Sequence, residues 1–203
     1  MNTLTVDKLI NIAKSKDYSI FYSNGIYNCN LNIWGIRSNN PDTEHFNDMF
    51  LLFYQTIKGK WNIETFEGTT DPSDNLLRRP ANVNGCAILV PGQHRKMWSY
   101  GFHKGRRDHK ALVQFSPVPV YRDRNLDNIL DFQSPIETGM FGINMHRAST
   151  YGDNPEIGLY SAGCQVHAHI AKYNNTFIPL IETCVREGNS IFSYTLITEN
   201  DLL

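Results

Sequence analysis

No stretch of this chain approaches the roughly 18 consecutive apolar residues of a membrane span. Met1-Asn2-Thr3-Leu4-Thr5 has neither the basic start nor the apolar run of a secretory leader. The expectation is a protein without a signal peptide or a membrane partner, cytoplasmic as synthesised. An excess of one charge is also missing: 19 Lys and Arg face 20 Asp and Glu, a net charge of −1. That excludes the strong basic field by which proteins hold nucleic acid. The four cysteines, Cys29, Cys86, Cys164 and Cys184, form no C-x-x-C pair and no regular pattern with histidine. No metal site and no disulfide are therefore expected; Cys86 and Cys184 fall in apolar settings and read as core thiols of a reducing compartment. Repeats, low-complexity runs and an interdomain linker are lacking as well. The reading is a monomer with an N-terminal helix and extension over residues 1–30, packed on one main domain over 31–203.

What is present is β-rich. Short apolar or alternating runs occur at 49–56, 61–66, 86–90, 97–102, 111–115, 118–121 and 190–198, separated by turn residues such as Lys58-Gly59-Lys60 and Pro91-Gly92. Many short strands argue for a mainly β fold with a few helices (α+β), its core a sandwich or barrel. Residues 49–66 read as a hairpin. Tyr18 to Ile36 reads as strand-like, with a turn at Asn24-Gly25. Val118 to Tyr121, bounded by Pro117 and containing Pro119, reads as an edge strand, because proline cannot donate to a ladder. Thr5 is an N-cap for a helix to Ser15, and Phe177, Ile178, Ile181, Cys184 and Val185 mark a second helix ended by Gly188. Arg122, Asp123 and Arg124 read as a surface ion-pair group.

The chemistry concentrates between Phe141 and Ala168. A strand-like run reaches His146. A polar loop with Gly152, Asn154, Pro155 and Gly158 follows, and then the small-residue turn Ser161-Ala162-Gly163-Cys164. A tight turn of that kind leaves a thiol exposed and frees amide N–H groups for a reacting carbonyl oxygen. A histidine nearby lowers a thiol's pKa and accepts its proton. No Asp or Asn is dictated as the group that orients His146; a backbone carbonyl near Arg147 could serve. His103, with Lys104, Arg106, Arg107, His109 and Lys110, reads either as the lining of an anionic-substrate site or as a solvated turn. His167 and His169 alternate on a strand-like stretch, with a structural or substrate-contact role.

Ile143-Asn144-Met145-His146 and Ser161-Ala162-Gly163-Cys164, whose His and Cys lie 18 residues apart, together resemble the catalytic signature of the L,D-transpeptidases, cysteine enzymes of bacterial cell-wall synthesis. The resemblance implies Cys164 as nucleophile, His146 as base, Ser161 and Gly163 as shapers of the turn, a β-sandwich-like sheet fold, and a peptidoglycan stem peptide as partner, with no cofactor. It is specific only in these two motifs. Two positions depart from the pattern. Arg147 stands where many members have Gly or Ser. Val166 stands where most have Arg or Asn, leaving Gln165 or His167 to hold substrate in its place. The wording resembles a divergent branch met in phage and prophage proteins. That implies an enzyme released to the wall at lysis or carried in a particle, with its thioester resolved by water or by an amine. A peptidase acting on proteins, or a binding module that has lost the chemistry, are the alternatives.

Overall fold

The computed structural model describes residues 4–22, 29–149, 151–153 and 155–203; the expected Asn24-Gly25 turn and Asn154 lie outside them. The strands are β1 (Asn32–Arg37), β2 (Asp48–Gln55), β3 (Trp61–Thr69), β4 (Cys86–Leu89), β5 (Gly92–Phe102), β6 (Lys110–Gln114), β7 (Val118–Asp123), β8 (Ile136–Gly139), β9 (Met145–Arg147), β10 (Gln165–His167) and β11 (Ile191–Thr198). Eight of them close a barrel in the order β1-β11-β5-β6-β9-β10-β3-β2, and β4-β7-β8 form a separate small sheet. The pairs β1–β11 and β9–β10 are parallel and the other pairs antiparallel. The chain is thus mainly β with few helices.

Alternation explains which residues fill the barrel. Ile33 of β1, Phe50 and Leu52 of β2, and Tyr194 and Leu196 of β11 point inward. Their neighbours Trp34, Ile36, Leu51, Phe53 and Ile197 point outward, and yet they are buried. The cover is helix α1 (Val6–Ser15), whose Leu9, Ile12 and Ala13 pack on that outer face. Thr5 caps α1 by accepting from the Lys8 N–H. At the other side, α3 (Ile170–Lys172) runs through a π-helical turn, Tyr173–Phe177, into α4 (Ile178–Arg186). Tyr173, Phe177, Ile178, Ile181 and Cys184 join the inner core. The stretch before Phe177 reads as polar and weakly helical in sequence; its helical form comes from burying Tyr173 against the barrel. Gly188 ends α4 at φ +90°. One more helix, α2 (Asp74–Arg78), is capped by Ser73.

Three expectations are corrected. Strand β7 is the centre of the small sheet, between β4 and β8. Pro119 is tolerated because it lies where β4 is ending: its carbonyl accepts from Val90 N–H, and the Val90 carbonyl that a residue 119 N–H would serve is taken by His94 Nε2 at 2.9 Å. Arg122 is buried; its partners are Glu137 and the Gly85 carbonyl, and Glu137 also holds Arg124. Finally, Cys29 and Cys184 form a disulfide that links the segment before β1 to α4 across 155 residues of chain. Nothing local in the sequence marks that pairing; only the fold brings α4 to the strand entry. Closing a loop of that length limits the unfolded ensemble by about 5 kcal/mol in the chain-entropy view, with 2–5 kcal/mol usual for native bridges. Cys184→Ala is accordingly expected to lower the urea-derived stability by a few kcal/mol. A thiol count on denatured, unreduced protein should find two free cysteines, Cys86 and Cys164; a count of four would remove the basis of the expectation.

Candidate active site

The parallel pairing of β9 with β10 sets the site. Its register places Met145 beside Gln165, His146 beside Val166 and Arg147 beside His167. The pleat then sorts these residues. Ile143 and Met145 enter the barrel core. Gln165 and His167 also face inward, where Tyr194 and the aromatic rings lie. Asn144, His146, Cys164 and Val166 belong to the opposite, outer face. The Gln165 N–H donates to the Asn144 carbonyl at 2.8 Å, which seats Asn144 next to Cys164. Gln114 of β6 holds the approach: its Oε1 accepts from the N–H groups of Phe141 and Ile143 at 3.0 and 2.9 Å. From the core side, Trp98 donates to the Ile143 carbonyl.

The Cys164 turn is braced from below. Gly163 has φ +118°, and a Cβ there would lie 2.0 Å from the Ala87 carbonyl oxygen of β4. The buried Ser161 hydroxyl accepts from the Gly163 N–H at 3.2 Å and lies within 2.8 Å of both the Asp71 and Cys164 carbonyl oxygens. Ser161 also accepts, through its carbonyl, from Ser73 N–H. The segment 70–73 belongs in turn to a buried polar network. Arg37 pairs with Asp71 at 2.8 Å, Asp48 accepts from Thr70 N–H, and Gln165 bridges the Thr70 carbonyl to the Tyr194 hydroxyl. The turn cluster before α2 is therefore an internal strut of the Cys164 turn. Gly163→Ala should displace that turn: a loss of 2 kcal/mol or more in stability and of nearly all Cys164 reactivity, read by thermal melting and by iodoacetamide labelling. Wild-type labelling in the variant would mean the thiol does not depend on this geometry.

Three imidazoles cover the outer face beside Cys164. The 3-10 turn His103–Gly105 after β5 folds over β9, and Lys104 at φ +50° keeps its own side chain in solvent while His103 points inward. The His103 ring stacks on His146 with centroids 3.9 Å apart, and His109 meets His146 edge-on at 5.3 Å. His146 Nδ1 lies 2.8 Å from the Arg147 carbonyl oxygen, so it carries the proton and donates there. Nε2 is left as a buried lone pair without a partner among the described residues. The Cys164 thiol donates to the Gly142 carbonyl at 3.5 Å, so sulfur and imidazole share a face without a hydrogen bond between them.

The charges differ from the ready thiolate that a Cys–His pair suggests. Burial pushes the Cys164 thiol up, against the Asn144 backbone N–H and the Lys104 charge, which both favour thiolate. Burial, then the neighbouring His103, pushes His146 well below the ordinary histidine range. The resting pair is a neutral thiol and a neutral imidazole with a free lone pair. That is the arrangement of a general base that removes the proton as the thiol attacks.

Cys164 opens on a cleft of about 740 Å³ whose lining includes Phe102, His103, Lys104, Asn144 and Tyr160. No Asp or Glu lines it, among the described residues. Leu159, Met140 and Phe102 are exposed at its rim. Of the residues expected to hold substrate, only His103 is on this cleft. Ser161, Gln165 and His167 are 0 %, 0 % and 1 % exposed, and they are supports: Ser161 of the turn, Gln165 of the polar network, His167 of the core among Phe50, Phe66, Tyr173 and Phe177. Arg147 contributes its carbonyl; its guanidinium is turned away, onto the carbonyls of Ser149 and Asp108. Gly163 N–H is taken by Ser161 and is not free for a substrate oxygen. Sequence reasoning missed Gln114, Asp71 and Asn144. Asn144 alone had a signal, its place between Ile143 and His146; Gln114 acts from β6 and Asp71 from the turn after β3. No family model matches the chain, and no curated protein or solved structure matches it.

Proposed function

We propose that the protein is a cysteine acyl-transfer enzyme, of L,D-transpeptidase type, that acts on peptidoglycan stem peptides. The observation that carries this reading is the meeting of two motifs 18 residues apart as neighbouring parallel strands, with Cys164 open to a cleft and His146 one pleat further on the same face. Cys164 Sγ attacks a peptide carbonyl as His146 Nε2 takes its proton. His146 returns the proton to the departing amine. Water or a second amine then releases the thioester. The cleft favours an anionic, partly apolar peptide: Lys104 is its one lining cation among the described residues, no carboxylate opposes it, and its rim is apolar. A stem peptide, with its free carboxylates, has that character. Crosslinked peptidoglycan incubated with the protein in oxygen-18 water and read by mass spectrometry tests this. Labelled carboxylates mean hydrolysis, and new crosslinks or exchanged terminal amino acids mean transfer. An unchanged muropeptide profile would overturn the substrate assignment.

A further inference from the structure

A tetrahedral intermediate at Cys164 needs donors for its oxyanion, and the turn supplies fewer than its sequence suggests. Gly163 N–H is bound to Ser161 Oγ. Cys164 N–H has no bonded partner among the described residues. That leaves one backbone donor where such sites ordinarily use two or more. The side chains facing the cleft supply the other. Asn144 lies against both the sulfur, through its backbone N–H, and His103, through its side chain. Its amide orientation is fixed: Oδ1 accepts from the Gln114 N–H at 2.9 Å, so Nδ2 faces His103 Nδ1 at 3.3 Å and donates to it. His103 Nδ1 is thereby the acceptor, and its ring proton is on Nε2. Among the described residues no group takes that N–H, and the ring lines the same cleft as Cys164.

We infer that His103 is a catalytic residue of this site, a neutral imidazole whose Nε2–H hydrogen-bonds the substrate oxygen as it gains charge. The assignment rests on Cys164 being the nucleophile. When the C–S bond forms, the carbonyl π pair moves to oxygen, and Cys164 N–H and His103 Nε2–H receive it. The His103 proton stays on His103. When the pair returns, the C–N bond breaks and the amine leaves with the proton that His146 took from the thiol. His103 is suited to stay neutral: burial, then the nearby His109, Lys104 and Arg106, holds it at about 4. A neutral histidine can serve as electrophile in this way.

Two reactions of the thiol separate this role from others. Alkylation by iodoacetamide makes no oxyanion; acylation by p-nitrophenyl acetate does. His103→Ala should slow Cys164 acylation on the order of 100-fold, the usual cost of one oxyanion donor, and leave the alkylation rate at about pH 8, where His146 is neutral with or without His103, little changed. His103→Gln, with an amide N–H in place of the ring donor, should recover part of the loss. Asn144→Asp should lose acylation like His103→Ala, because a carboxylate draws the ring proton to Nδ1. Equal loss of both reactions in His103→Ala would show a structural role, and full acylation in that variant would show none; either overturns the inference. Absence of acylation above the Cys164→Ala level in the wild type would instead remove the nucleophile itself, and this inference with it.

Discussion

On the proposed acyl-transfer reading, Cys164→Ala should reduce turnover of crosslinked peptidoglycan on the order of 10⁴-fold or more, to background, and leave the melting temperature within a degree or two of wild type. Loss of a covalent nucleophile removes the whole two-step route, and the effects of residues that act as one unit are of that size. The stability side follows from position. Cys164 sits at the margin of a small cluster of Phe46, Ala148, Ile157, Val166 and Ala168, and its thiol is held only by a weak donation to the Gly142 carbonyl and by the Asn144 backbone N–H. The backbone of the turn is held by Ser161 and Gly163, so an alanine inherits the same path. His146→Gln should show a second large loss with a distinct signature. The neutral resting pair means activity falls on the acid side only where His146 protonates, well below its ordinary range, and the glutamine variant should lose that limb. Turnover by Cys164→Ala above a trace would mean another group does the chemistry.

The sequence marks the candidate site through local features and the fold only in outline. His146 and Cys164 are legible because a strand, a loop and a small-residue turn are local features. Their burial is not: it depends on the His103 turn folding back over β9, and on β3 and β4 passing beneath the Cys164 turn. The same limit hides which of Ser161, Gln165 and His167 could touch substrate. A pleat assigns faces only once the partner strand is known. Here β10 has β9 on one side and β3 on the other, with its inner residues filling a barrel. Most of the strands are readable from alternation; β8 is not. The disulfide and the central place of β7 were not, because both depend on contacts made across the fold.

Lowering the pH should destabilise this protein. Five histidines are buried and held below the ordinary value near 6.5: His94, His103 and His109 at about 4, His167 at about 3, and His146 lower than 6.5 in the same sense, each chiefly through burial. The sign follows from proton uptake. Between pH 6.5 and the folded value, the unfolded chain binds a proton that the native state refuses, so stability is full above about 6.5 and falls as pH drops. At 1.36 kcal/mol per unit, His94 alone corresponds to roughly 3 kcal/mol lost by pH 4. Asp71 runs the other way: burial, against Arg37 and with Asp48, raises it to about 7, so its protonation on descending through that value offsets part of the loss. Asp48 and Asp123 are raised too. Five depressed imidazoles against three raised carboxyls leave a net loss toward acid. His167 gives the clean test, since its two ring nitrogens have no partner among the described residues and aromatic rings surround it. His167→Leu removes one proton site without opening a polar contact. Urea titrations at pH 8 and pH 5 should show the wild type losing about 2 kcal/mol more than the variant over that interval, as a group titrating from 6.5 would. An equal loss in both would mean that His167 takes up its proton in the folded state as readily as in the unfolded chain.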